Sequence, residues 1–308
     1  MAGPIRIGVV GVGKIARDQH LPAIRANPDY QLAASASRSA TVEGLPGYVS
    51  LTEMLDGQPE LDAVALCTPP QVRYGLAVEA LSRGKHVLLE KPPASTLSEI
   101  EDLKAIGERS GRTLFATWHA RYAPLVERAR EWLAGRKIAS ARIDWREDVR
   151  RWHPGQQWIW DPGGMGVFDP GINALSIATN ILPKFFFSEG VLRFPENRQA
   201  PIAADLKFHF ADGLEMPVGL DWLQTGPQTW DIRVGTDGGE LLLSLGGSRM
   251  EVDGELAGEA PEAEYPGLYA RFAELIGSGV SDVDVSPLRH VADAFLSGRR
   301  EIVEAFNE

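Results

Sequence analysis

The sequence predicts an α/β protein of two domains: a parallel sheet with helices on both faces, then an α+β domain whose large sheet is mainly antiparallel. Three observations carry this. An apolar run, Ile5 to Val10, leads directly into a glycine-rich turn and a helical pattern. Strand and helix patterns then alternate until about residue 117, as parallel sheets require. From 185 to 254, several strands are separated by short turns (Asp212-Gly213, Asp237-Gly238-Gly239, Asp253-Gly254), which reads as antiparallel pairing. A chain of 308 residues suits two domains of about 150 each. The expected division is 1–120 and 121–308, with the C-terminal helix able to pack back on the first domain.

In the first domain, strands are expected at Ile5–Val10, Gln31–Ser37, Ala63–Cys67, His86–Glu90 and Thr113–Thr117. Helical patterns fall near 15–26, 50–56, 71–83 and 96–110. The first turn has Gly11, Gly13 and Ala16 in G-x-G-x-x-A spacing between a strand and a helix, the context of a dinucleotide-binding Rossmann turn. Gly11 permits the tight turn, Gly13 admits a pyrophosphate, and Ala16 lets the helix pack closely on the strand. Lys14 and Ile15 open the helix whose N-terminus would hold the anion. Two further strands end in proline-rich turns, Thr68-Pro69-Pro70 and Glu90-Lys91-Pro92-Pro93. Ligands of such sheets bind off the carboxyl ends of the strands, so Thr68, Pro69, Glu90 and Lys91 are expected beside the cofactor. The paired prolines mark a constrained turn that admits a cis Lys91-Pro92 bond.

Beyond residue 120 a helix near 122–135 leads to a strand-like stretch, Ala139–Asp148, then a loop. Trp145, Trp152, Trp158 and Trp160, four of the eight tryptophans, cluster here. Gly163-Gly164-Met165-Gly166 precedes Asp169 and a helix to about 181. Two helices, near 265–277 and 286–305, close the chain, and the acidic stretch Gly254–Pro266 reads as a mobile loop. There is no internal repeat and no low-complexity tract.

A net charge of −11 argues against nucleic acid or an anionic membrane as partner. Cys67 is the only cysteine, so no intrachain disulfide forms, and its place at a strand end reads as structural. The N-terminus is too short and too broken by glycine for a signal peptide or a membrane span, so a cytoplasmic protein is expected. No cluster of His, Cys and carboxylates has metal-ligand spacing, so no metal is expected.

The residue that reads the adenosine ribose belongs at the end of the second strand. An acidic residue there favours NAD; this chain has Ser37 and Arg38. A serine can hydrogen-bond a 2′-phosphate and an arginine can neutralise it, so NADP is expected to be preferred, with NAD not excluded.

The chain resembles the glucose–fructose oxidoreductase and inositol dehydrogenase (Gfo/Idh/MocA) family. The matching residues run the length of the chain: Gly11-x-Gly13-x-x-Ala16, His20-Leu21-Pro22, Thr68-Pro69-Pro70, Glu90-Lys91-Pro92, and Gly163 to Gly166 leading to Asp169. The resemblance implies an N-terminal Rossmann nucleotide-binding domain and a substrate domain on a large open, mainly antiparallel sheet, whose open face commonly pairs two subunits as a homodimer. Within the family, Trp118 to Ala123, Glu147 to Gln156, Trp158-Ile159-Trp160 and Val167 to Ser176 resemble bacterial L-arabinose and D-galactose 1-dehydrogenases. These oxidise C1 of a cyclic aldose to a lactone. The broader family places a histidine four residues after the aspartate; here Asn173 stands there, as in that subgroup.

The resemblance implies the chemistry of the site. Asp169 is the expected base for the C1 hydroxyl, although Asp169-Pro170 also suits a helix N-cap and first turn. Asn173, one helical turn on, would orient that hydroxyl. Lys91 would stabilise the developing negative charge or relay the proton. Trp152, Trp158 and Trp230 are candidate platforms for the sugar, with His119 and Glu147 as hydrogen-bonding partners. The alternatives are another reaction of the family, on an inositol or an anhydro-sugar, and a sugar- or nucleotide-sensing protein without turnover.

Overall fold

A computed structural model describes residues 3–307. The chain divides into two compact units, Met1–His119 with Tyr265–Val285, and Ala120–Glu264 with Ser286–Glu308.

The first unit holds strands β1 (Ile5–Val10), β2 (Tyr30–Ala36), β3 (Gly47–Tyr48), β4 (Ala63–Leu66), β5 (His86–Leu89) and β6 (Leu114–Ala116). They form one parallel sheet in the order β3-β2-β1-β4-β5-β6. Helices α1 (Leu21–Ala26), α2 (Leu51–Gly57), α3 (Pro70–Ser82) and α4 (Leu97–Ser110) connect them. β4 is buried along its whole length, which explains a continuous apolar run with no alternation. α4 starts in a capping box of Thr96 and Glu99 and stops at Gly111, where φ is +62°. The first helix is less regular than its pattern suggests, since Ala16–His20 forms a π-helical turn before α1. Strand β3 escapes sequence reading because two residues carry no period.

The second unit is built on β7 (Ile138–Arg146), β8 (Phe185–Pro195), β9 (Ala203–Phe210), β10 (Glu215–Asp221), β11 (Thr229–Thr236), β12 (Gly239–Ser244), β13 (Arg249–Val252), β14 (Glu255–Glu259) and β15 (Arg299–Val303). Their order is β14-β13-β12-β11-β7-β10-β9-β8-β15. Pairing is antiparallel except for β10 with β7 and β15 with β8. This unit also holds α5 (Val126–Leu133), α6 (Val149–Trp152) and α7 (Phe168–Ile181). β7 shows the two faces of the sheet: Ala141, Ile143 and Trp145 are buried, while Arg142 and Arg146 on the other face pair with Asp144 between them. α7 lies close against β10, since a Cβ on Gly171 would come within 2.7 Å of Leu220.

The C-terminal region corrects the sequence reading at three places. Helix α8 (Glu264–Ser278) does not stay with the second sheet, so 121–308 is not one contiguous domain. Tyr265, Leu268, Tyr269, Phe272 and Leu275 form a helical stripe, each 3% exposed or less, buried in the first unit. There Phe272 stacks on Phe115 and the Trp118 indole donates to the Asp284 carbonyl. The final helix, α9 (Ser286–Ser297), ends well before 305, and Arg299–Val303 adds to the sheet beside β8. Gly298 approaches the Ala294 carbonyl too closely for a side chain and turns the chain there. The acidic stretch after Gly254 is a loop only in part: Glu255–Glu259 forms β14, paired with β13 and tied by Arg249–Glu259, and the short irregular run 260–263 leads into α8. Among the described residues, no helix is long and apolar enough to cross a membrane.

Candidate active site

In the first unit, the fingerprint turn has the shape its spacing requires. Gly11 has φ +89°, and a Cβ there would sit 3.0 Å from the Thr68 amide and the Cys67 carbonyl carbon. A Cβ on Gly13 would meet nothing within 4 Å, so that side of the turn is open to a ligand. Ala16 is fully buried beneath it. Lys14 pairs with Asp18, and Ile15 is exposed on the first turn. Ser37 and Arg38 follow β2; the Ser37 amide donates to Tyr48, and the Arg38 side chain is exposed. Thr68 Oγ1 is buried without a hydrogen-bond partner among the described residues, a polar atom that a ligand at this edge would satisfy. These features fit a nicotinamide dinucleotide.

The two proline turns are tied together by a residue the sequence did not single out. Arg73, 2% exposed on α3, donates to the Glu90 carbonyl at 2.5 Å and also to the carbonyls of Pro92 and Thr68. Lys91-Pro92 is cis. Pro69 precedes α3 as its N-cap residue.

Behind Lys91 lies a buried polar cluster. Glu90, 4% exposed, accepts from His20 Nε2 at 3.0 Å and the Tyr265 hydroxyl at 2.6 Å on Oε1, and from the Lys91 amide at 2.7 Å on Oε2. Burial opposes charge on this carboxyl, but His20, the nearby His119 and the Tyr265 hydroxyl outweigh it and hold Glu90 well below the usual carboxylate range. Burial likewise opposes charge on His20; Cys67 and Glu90 beside it prevail and raise it to about 10. The second ring nitrogen of His20 is 2.7 Å from the Tyr269 hydroxyl. His119 also belongs to this unit, stacked on Tyr265 with ring centroids 5.4 Å apart.

In the second unit, Gly164 and Gly166 set the entry to α7. Side chains there would collide with backbone: a Cβ would fall 2.2 Å from the Trp158 carbonyl oxygen and 2.2 Å from the Pro201 carbonyl oxygen, respectively. The turn delivers Asp169, 3% exposed, into the first turn of α7, where Val167 is the N-cap residue. Asp169 is therefore inside the helix and not its cap. Asn173 lies on the same face, half-buried.

The inner end of the sheet faces this helix with aromatic and acidic groups. Glu147, just past β7 and 3% exposed, accepts from Trp222 Nε1 at 3.3 Å and Trp230 Nε1 at 2.8 Å. Trp230 stacks on Trp145 (5.8 Å, 17°) and leans on Trp152 (5.2 Å, 47°). His153, at the end of α6, places Nε2 3.6 Å from Asp169 Oδ2 and 3.8 Å from Glu147 Oε1. Its ring also packs on Trp222, 5.3 Å away. Trp158 is half-buried on the 3-10 turn Gln157–Ile159, against which Gly164 packs.

The structure thus brings Asp169, Glu147, Trp152 and Trp230 into one cluster, with Asn173 on the Asp169 face. Lys91 and His119 are placed by the first unit. Sequence reasoning missed His153 and Trp222. His153 lies inside a stretch already marked as unusual, so spacing could have raised it; Trp222 carries no local signal, since it looks like an ordinary strand-end residue.

Residues 5–117 match the oxidoreductase family with an NAD-binding Rossmann fold. A galactose 1-dehydrogenase of Pseudomonas fluorescens is 47% identical over 305 residues, covering 98% of this chain and 99% of that protein. The chain belongs to the Gfo/Idh/MocA oxidoreductase family. A D-galactose-1-dehydrogenase from Rhizobium etli superposes with a TM-score of 0.96 at 57% identity, covering 100% of this chain and 99% of that one. A 3-ketoreductase from Actinomadura kijaniata, solved with TDP-benzene and NADP, superposes at 0.81 over 98% of this chain and 100% of that one; at 21% identity it shows the shared fold alone. Family membership makes this chain an oxidoreductase with a nicotinamide cofactor, and the turn at Gly11 and Gly13 is built to hold one.

Proposed function

We propose that this chain is an NAD(P)-dependent aldose 1-dehydrogenase. It oxidises C1 of cyclic D-galactose or L-arabinose to the lactone and prefers NADP. The observation that carries the reading is the second-unit cluster: a buried aspartate, an asparagine one turn later, an imidazole and tryptophan faces together, in a chain 57% identical to a D-galactose-1-dehydrogenase. The two sugars share their configuration from C2 to C4 and differ at C5, so one pocket suits both.

When bound, the nicotinamide supplies the hydride acceptor. Asp169 takes the proton from the C1 hydroxyl, and the Asn173 amide orients that hydroxyl. His153, between Asp169 and Glu147, is placed to hydrogen-bond a sugar hydroxyl or pass the proton onward. The Trp152 and Trp230 faces cover the C–H side of the ring, and Glu147 fixes Trp230 in place. Lys91 is the cation for the developing negative charge. Gly13, Lys14, Ile15, Thr68 and Pro69 hold the dinucleotide, and Ser37 with Arg38 receives the 2′-phosphate, with no acidic residue following β2 directly to repel it. The enzyme works in the cytoplasm under this reading.

The test is initial-rate reduction of NADP and NAD with D-galactose, L-arabinose, D-glucose and myo-inositol supplied separately. The expected result is turnover of galactose and arabinose, faster with NADP. Turnover of myo-inositol alone would replace the substrate class, and nucleotide binding with no turnover would point to a sensor.

A further inference from the structure

Tyr265 reaches the Glu90 carboxylate from the far end of the sequence. It sits in the first turn of α8 and is 3% exposed. Its hydroxyl donates to Glu90 Oε1 at 2.6 Å. Its ring lies nearly flat against the His119 imidazole (5.4 Å, 20°) and edge-on to His20 (4.8 Å, 70°). The other Glu90 oxygen accepts the Lys91 amide. One side chain therefore touches both the carboxylate that anchors Lys91 and the ring of His119. The last torsion of a glutamate is broad and roughly two-fold, so it is the donors around the carboxylate that choose its plane. With the Tyr265 hydroxyl removed, Oε1 keeps only His20 of the two donors described above, and the plane that serves the Lys91 amide is less well fixed.

We infer that Tyr265 is a positioning residue for the proposed reaction, its hydroxyl setting the Glu90 carboxylate and through it the Lys91 turn, its ring setting the plane of His119. This rests on the roles given above to Lys91 and His119. A buried phenol elsewhere in the unit supplies the control: the Tyr30 hydroxyl donates to the Tyr269 carbonyl at 2.8 Å, a similar buried bond.

The experiment compares Tyr265→Phe, Tyr265→Leu and Tyr30→Phe in the full chain, using kcat and KM for the sugar the wild type turns over, and Tm. Hydrogen exchange of the Lys91 amide is followed by NMR in the cofactor-free protein. Tyr265→Phe is expected to lower kcat about tenfold, the scale of a hydrogen bond to a charged group, with the sugar KM unchanged. Tyr265→Leu, which also loses the ring, raises the sugar KM several-fold through His119. Tyr30→Phe lowers Tm but keeps wild-type kcat. Lys91 amide exchange quickens in Tyr265→Phe and not in Tyr30→Phe. Wild-type kcat in Tyr265→Phe, or equal kcat losses in the two phenylalanine variants, overturns the inference. If the wild type turns over no sugar, the functional reading falls by itself. Amide exchange then decides the positioning role, and an unchanged Lys91 rate overturns it.

Discussion

Each unit buries a glutamate just past the end of a strand, and the two are satisfied by different kinds of donor. Glu90 takes an imidazole, a phenol and a backbone amide. Glu147 takes two indoles, from Trp222 and Trp230. An indole N–H keeps its proton throughout the stable range of a protein, so these two bonds hold aromatic faces in place and do not titrate. His20 can change its charge, so the Glu90 cluster links the Lys91 turn to pH. The lesson is that equal burial does not mean equal role: the donors decide whether a carboxylate is a fixed strut or part of a titrating network. Asp169 differs from both in lying within the first turn of a helix, on one face with Asn173.

The strongest test of that contrast is Asp169→Ala. Turnover is expected to fall by about two to four orders of magnitude, with nucleotide binding retained, because a general base is lost. Near-normal turnover would put Asp169 with the struts. Next come Glu90→Gln and Glu147→Gln, compared by thermal unfolding. Glu90→Gln leaves the buried His20 without its counter-charge and should cost about 3–5 kcal/mol. Glu147→Gln trades a charged acceptor for a neutral one and should cost about 1–3 kcal/mol, together with a higher sugar KM as Trp230 loosens. Equal losses would erase the distinction between the clusters.

A smaller effect follows from pH. His20 is raised in the folded protein, so its stabilisation is complete below its ordinary 6.5 and is lost as pH rises toward about 10. Glu90 is depressed, so its share is present above its ordinary 4.5 and disappears as pH falls. Tm should therefore decline between pH 6.5 and about 10, and His20→Gln should flatten that decline. A wild-type slope persisting in His20→Gln would assign it to other groups. The mildest change is at an exposed position: Arg38→Asp should weaken NADP more than NAD, by about tenfold in the ratio of their KM values, as expected for losing one cation from a solvated phosphate site. An unchanged ratio would make Arg38 an ordinary surface residue.

Much of this was legible in the chain because it is local. The fingerprint turn at Gly11 and Gly13, the proline turns, and the Asp169 to Asn173 spacing depend on neighbours within one or two turns, and short-range sterics write such features directly into sequence. The capping role once open to Asp169 was settled only by the backbone, which puts the N-cap of α7 two residues earlier, at Val167. Strand β15 was hidden because Gly298 ends a helix whose polar pattern runs on smoothly into Arg299.

The sequence by itself determined the parallel sheet, the dinucleotide turn, and the identity of the acid, amide and aromatic groups on which the proposed reaction rests. Only the tertiary structure decided which of them meet. It sent Tyr265 and Tyr269 back to the first unit to complete the Glu90 cluster, and it set His153 between Asp169 and Glu147. It also made Arg73 a clamp on two turns. The reason is physical. Such contacts join residues far apart in the chain, and burial raises the cost of an unmet hydrogen bond or charge until only one set of partners satisfies them all.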